Sequence, residues 1–269
     1  MIGVQPLPQV SNHILNPNAD TYYFSSRGNR EYIEPETFLR AVQDTHTVIN
    51  QIITNVPVNV FEILGMRNLS AFIGELFARS FVRVSNGRYM SNPHQDGYPD
   101  LLLLDQFGLD DLQHITATAN MRDKAPFSPF ANGGIEVKAT CGTVPTPKYF
   151  QDRGSVKPHI GDQRIGVLSS YDWKAHHRQT NNLIGLLWDF IEGVPYIVAV
   201  FFGVDLEEAH WGNIIQPREG GGRTTSVSIM TKEGVAKMFD NLVLIENNQD
   251  YISKINHINR KYGQSSYQF

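Results

Sequence analysis

Cysteine is almost missing from this chain. Cys141 is the single one in 269 residues, so no disulfide can form within the chain, and a reducing compartment such as the cytoplasm is expected. Long apolar runs are missing as well: none approaches ~20 residues, so no helix is expected to cross a membrane. The start of the chain, Met1 to Pro6, lacks the basic residues and apolar run of a signal peptide. No Cys/His spacing suits zinc. There is no G-x-S-x-G elbow for acyl transfer and no G-x-x-x-x-G-K-S/T phosphate loop. Repeats, heptads and low-complexity stretches are absent. An excess of positive charge is missing too, since 23 Lys and Arg stand against 27 Asp and Glu, a formal net charge of -4. That sign weighs mildly against nucleic acid. Net charge averages over the whole surface, however, and a local basic cleft is enough to hold phosphates. What the chain does have is 41% hydrophobic and 11% aromatic residues, enough for the core of one large domain.

Two short stretches carry the chemistry. Gly97-Tyr98-Pro99-Asp100 runs into Leu101-Leu102-Leu103-Leu104, and Gly134-Ile135-Glu136-Val137-Lys138-Ala139-Thr140 alternates apolar and charged residues. Alternation with period two predicts a strand, on which residues two apart share a face. Glu136 and Lys138 therefore project together, with Ile135 and Val137 behind them. Pro99 favours an extended Tyr98, and Asp100 opens a buried apolar strand. If the two strands pair, Asp100 and Glu136 converge on one cation beside Lys138. Hard divalent cations such as Mg²⁺ take oxygen ligands and keep several waters. The ligand set read here is Asp100, Glu136 and the Val137 carbonyl. An ordinary Glu–Lys pair on a solvated strand is the bland alternative, and the preceding Pro-Asp weighs against it.

Pro99-Asp100 followed by Glu136-Val137-Lys138 resembles the signature of the PD-(D/E)XK nucleases, a family that includes most type II restriction endonucleases. The resemblance covers roughly the central third of the chain. It implies an α/β fold, a restriction-endonuclease-like core with a central mixed β-sheet flanked by helices, built on an αβββαβ unit. It implies Mg²⁺ held by Asp100 and Glu136, a water-assisting role for Lys138, and an auxiliary acid from the preceding helix, for which Glu75 is placed. It also implies a homodimer acting on a palindromic site in double-stranded DNA. A cognate DNA methyltransferase would act on the same site without binding this chain. One departure is the long interval between Asp100 and Glu136, which requires a looped-out insertion. A repair or junction-resolving nuclease of the same fold and a non-catalytic DNA-binding protein are the alternatives.

The whole chain reads as one nuclease domain: an irregular arm over 1–34, a catalytic core over 68–206, and sheet completion with a DNA-contacting loop over 207–269. Pro35 and the spacing from Phe38 to Ile53 predict a helix ended by Asn55 and Pro57. Residues 68–81 predict a second. Residues 91–97 form a turn-rich approach to Asp100, where turn chemistry accounts for His94 and Asp96 as well as substrate contact does. Residues 105–133 read as a loop or short helical insertion. The runs 183–190 and 196–202, split by Glu192-Gly193-Val194-Pro195, predict a hairpin or adjacent core strands, with a buried helix as the alternative for the first run. Residues 227–230 read as a strand, Thr231 as the cap of a short helix through Phe239, 242–245 as a strand, and a last helix begins near Asp250.

Cationic and amide side chains gather in two further places. Lys157 and Arg164 follow the second motif, and Lys174, His176, Arg178 and Asn181 lie in a cluster that also holds Tyr171 and Trp173. Arg and Lys read guanine, Asn reads adenine, and cations hold phosphates; a solvated helix face is the alternative. Adjacent His176 and His177 point apart on any regular element and are not a metal pair. Arg218-Glu219-Gly220-Gly221-Gly222-Arg223 puts three glycines between two arginines. Glycines let backbone approach a ligand closely, which makes Arg223 the expected base reader and Arg218 a second contact. Cys141 reads as packing rather than a nucleophile.

Overall fold

The structure, a computed structural model, describes residues 10–118, 122–216 and 226–269. Its strands are β1 (His13–Leu15), β2 (Tyr22–Phe24), β3 (Arg30–Tyr32), β4 (Tyr89–Ser91), β5 (Leu101–Leu103), β6 (Gly134–Thr140), β7 (Lys174–Ala175), β8 (Leu183–Ile191), β9 (Val194–Gly203), β10 (Ser228–Ile229) and β11 (Leu242–Glu246). Its helices are α1 (Pro35–Asn55), α2 (Val60–Ile63), α3 (Met66–Val84), α4 (Gln106–Thr118), α5 (Pro147–Gln151), α6 (Lys232–Phe239) and α7 (Gln249–Arg260). Seven strands form one mixed sheet in the order β1-β11-β9-β8-β6-β5-β4.

The sheet is buried on both faces. On α1, Phe38, Ala41 or Val42, Thr45, Ile49 and Ile53 recur every three or four residues, and on α3 Leu69, Ile73, Phe77 and Phe81 recur every four. Both stripes lie on the face that carries Ile135 and Val137 of β6 and Ile184, Leu186 and Trp188 of β8. The opposite face of β8, Leu183 and Leu187, meets Tyr171, Trp173 and the apolar sides of α6 and α7. The hairpin between β8 and β9 turns on Glu192 and Gly193, whose φ angles of 51° and 80° are the left-handed pair of a type I′ turn. Thr231 caps α6 by accepting from the Gly234 N–H. Strands β6 and β8 are parallel and so need a crossover, which carries only the five-residue α5 as α-helix. No helix among the described residues is long and apolar enough to cross a membrane.

The arm expected to be irregular is not so beyond residue 9. Strand β1 adds to the edge of the main sheet against β11, and β2 pairs with β3 as a separate hairpin. Strands of three residues are too short for alternation to be read in the sequence.

A buried polar cluster fixes β1. His13 Nε2 donates to the Ile197 carbonyl at 2.7 Å, while the Ile197 N–H donates to His46 Nε2 at 3.0 Å. The proton of His46 therefore sits on Nδ1 and points to Ser11 Oγ, 2.5 Å away, so His46 is no base for that hydroxyl. The His46 and Tyr196 rings stack at 4.1 Å, and the Tyr196 hydroxyl donates to Glu246. His13 Nδ1 has no hydrogen-bond partner among the described residues and lies 3.8 Å from Glu246 Oε2.

Candidate active site

Asp100 lies directly before β5, and the β5–β6 ladder pairs Leu101 with Ile135 and Leu102 with Gly134. One step beyond its last backbone pair, side chains continue the ladder. The Asp100 N–H donates to Glu136 Oε2 at 3.2 Å, and the Val137 N–H donates to Asp100 Oδ2 at 2.8 Å. Both carboxylates are thus aimed by main-chain bonds. The strands approach closely because position 134 is glycine: a Cβ there would overlap the Leu101 carbonyl oxygen. Upstream, the Asn92 carboxamide donates to the Pro99 and Phe127 carbonyls at 2.9 Å each, and accepts from the His94 N–H at 3.0 Å. That network fixes the loop leading into Asp100, and His94 is part of its turn chemistry.

Lys138 Nζ sits between the two acids, 2.6 Å from Glu136 Oε1 and 3.1 Å from Asp100 Oδ2. Glu136 is buried, whereas the Asp100 and Lys138 side chains keep 27% and 22% of their surface and open the site to one side. Burial pushes the Glu136 carboxyl up to about 7; the Lys138 ammonium opposes the rise and Asp100 reinforces it. Burial works to lower the Lys138 pKa, but Glu136 and Asp100 outweigh it and hold the ammonium charged.

An ammonium seated between two carboxylates marks a place where positive charge is demanded. Among the described residues no three His, Cys, Asp or Glu side chains stand together as a metal cluster. A cation here would be held by Asp100 and Glu136, with the rest of its shell from carbonyl and water oxygens. That donor set suits Mg²⁺ and not structural zinc. In an extended strand the N–H and C=O of one residue leave by the same edge. The Val137 carbonyl thus faces the Asp100 side of β6, as its N–H does, and fits the expected set.

The structure brings further residues to this opening. The Tyr98 hydroxyl donates to the Gln179 carbonyl at 3.0 Å and to Asn181 Oδ1 at 3.2 Å, and the His177 ring meets the Tyr98 ring edge-on at 4.2 Å. Burial, and then Glu136, raise the Tyr98 pKa. Burial, and then Lys138 and His176, lower that of His177. Tyr98 and His177 carry no motif; only the adjacency of Tyr98 to the Pro-Asp step gives a sequence signal.

The other expected contacts divide. Glu75 stands exposed on α3, the helix that packs on β6 through the neighbouring Gly74, which faces Ala139. Asn181 reaches the opening through Tyr98. Lys174 is exposed on β7, and the exposed His176 holds the Ser226 carbonyl through Nδ1 at 3.1 Å. Arg178 pairs with Glu208 at 2.6 Å, which occupies its guanidinium. Lys157 is exposed in the crossover. Arg164 is corrected: it is 8% exposed, its N–H is bound to buried Asp189 at 2.8 Å, and its side chain lines a small cavity with Cys141 and Tyr251. It is thus part of the interior and not a surface phosphate contact. Tyr171 and Trp173 are also core, because 171–175 alternates as extended chain and not as a helix face. Arg218 and Arg223 lie outside the described residues. Cys141 is half-buried, and burial pushes its thiol up, which fits packing.

No family model matches this chain, and no curated protein or solved structure matches it either.

Proposed function

We propose that this chain is a Mg²⁺-dependent type II restriction endonuclease of the PD-(D/E)XK kind, which hydrolyses phosphodiester bonds of double-stranded DNA at a specific palindromic sequence. The observation that carries this reading is the convergence of Asp100 and Glu136 on Lys138 Nζ at the end of a two-strand ladder. The element order supports it: α3, β4, β5, β6, a crossover and then β8 parallel to β6 follows the αβββαβ pattern of a restriction-endonuclease-like core. The nearly helix-free crossover is a departure from that pattern.

Asp100 and Glu136 would hold Mg²⁺, which when bound supplies Lewis-acid stabilisation of the phosphate and activation of water. Lys138, kept charged by both acids, offsets charge that builds on the phosphoryl oxygens. Tyr98 and His177 wall the opening, and the exposed cations Lys174 and Lys157 offer phosphate contacts. A homodimer fits a palindromic target, since one two-fold axis then serves both. The methyltransferase that protects the same sequence needs no contact with this chain.

The deciding experiment incubates plasmid with the protein and Mg²⁺, with and without EDTA, beside Asp100→Ala. Discrete fragments, lost with EDTA and in the variant, support the reading. A smear points to a nonspecific nuclease, and unchanged plasmid to a DNA-binding protein without catalysis.

A further inference from the structure

The β2–β3 hairpin has two different faces. Its inward side is anchored: Tyr23 and Glu31 are buried, the Tyr23 hydroxyl meets that of Tyr89 at 2.6 Å, and Glu31 pairs with Arg88. Its outward side carries Tyr22, Phe24 and Tyr32, which keep 41%, 46% and 50% of their surface, together with Arg30. Register places Tyr22 opposite Tyr32 and Phe24 opposite Arg30. The tyrosine rings lie 4.7 Å apart, and the Arg30 guanidinium lies 3.9 Å over the Tyr22 ring. Arg30 makes no ion pair among the described residues. Three large aromatics side by side on a surface ordinarily mark a binding face. The hairpin is tied to β6 through Asn182, whose carboxamide donates to the Phe24 carbonyl at 3.0 Å and whose main-chain carbonyl accepts from the Glu136 N–H at 3.0 Å.

We propose that this face is a stacking platform for unpaired nucleic-acid bases. The exposed Phe24 and Tyr32 rings, beside an Arg30 guanidinium stacked on Tyr22, offer π-faces and positive charge together, the combination that holds single strands without reading their sequence. The inference rests on the nuclease reading for its substrate, and it deepens it: within the double-stranded target, a base turned out of the helix would be held on the platform. A guanidinium on the platform favours the polyanion over a second copy of the chain.

The test measures binding of a fluorescent oligothymidylate of about ten nucleotides, a length within the usual single-strand site size, with EDTA present so that no cleavage occurs. The wild-type protein should bind it. Tyr22→Ala/Tyr32→Ala should bind at least about fivefold more weakly, the loss expected from removing stacked rings. Thermal unfolding checks that the variant is folded, and Tyr22→Trp, which keeps a ring, should retain binding with its fluorescence quenched by the oligomer. Equal binding by wild type and the folded double variant overturns the platform. So does a self-association that the double variant abolishes while oligomer binding is unchanged. Plasmid cleavage is read separately. Platform-dependent binding without cleavage by the wild type rejects the nuclease reading alone, and cleavage with unchanged oligomer binding rejects the platform alone.

Discussion

Two buried polar clusters sit on the two halves of the same sheet, and they differ in charge and access. Asp100, Glu136 and Lys138 join β5 and β6 through ion pairs, with one side open. His13, His46, Tyr196 and Glu246 join β1, α1, β9 and β11 largely through main-chain hydrogen bonds and stacked rings, and the His13 side chain is fully enclosed. A buried ion pair is weak support for stability, because desolvation offsets its Coulomb gain. A largely hydrogen-bonded cluster with stacked rings rigidifies what it touches. The difference is what the proposed reading needs, chemistry at the first and architecture at the second, although each contains residues that a motif search would single out.

Substitution breaks the comparison most sharply. Asp100→Ala or Glu136→Ala should lower Mg²⁺-dependent plasmid cleavage by at least ~10³-fold, since a metal ligand is lost, while DNA binding in Ca²⁺ survives. Near-normal turnover in either variant would overturn the assignment. Lys138→Ala should cost about 10²-fold in rate and leave Mg²⁺ affinity, measured by calorimetry, largely intact, since an ammonium is no ligand. At the other cluster the response should invert. His46→Ala leaves the buried Ile197 N–H without an acceptor and removes the stack on Tyr196, so urea unfolding should show about 2–4 kcal/mol lost. Cleavage per folded molecule should be unchanged.

The pH dependence sharpens the contrast further. Burial lowers the His13 pKa to about 4 from 6.5, against the opposing bond to the Ile197 carbonyl, and burial followed by His13 lowers that of His46. Between those values the unfolded chain binds more protons than the folded one. The contribution is therefore complete above about 6.5 and is lost as pH falls towards 4. The stability difference between wild type and His13→Gln, from urea midpoints, should shrink across that window; a constant gap would show that His13 does not titrate differently on folding. The smallest effect belongs to the exposed crossover. Lys157→Ala should weaken binding to all DNA sequences and flatten the salt slope by about one unit.

Much of this was legible in the sequence wherever a period had room to repeat. The stripes of α1 and α3, the alternation of β6, the β8–β9 hairpin and the Thr231 cap all follow from local rules. So did the meeting of Asp100 with Glu136 and Lys138, because a Pro-Asp before an apolar strand and an alternating Glu-Val-Lys have one simple pairing. The failures share a cause in long-range contact. Arg164 resembles any surface cation until Asp189, 25 residues on, takes its N–H. Tyr98 and His177 meet only through the fold.

Strand β1 finally bears on how the chain assembles. Its partner β11 lies roughly 230 residues away, one of the most non-local pairings that a chain of this length can make. Such contacts cost loop-closure entropy before they give anything back, and they slow folding. Until β1 docks, β11, with the run Leu242-Val243-Leu244-Ile245, is an open sheet edge, and an apolar edge of that kind invites pairing with another chain. The His13–His46–Tyr196 stack, by holding β1 on that edge, would limit such pairing, and refolding yield at raised protein concentration is where its loss would be felt first.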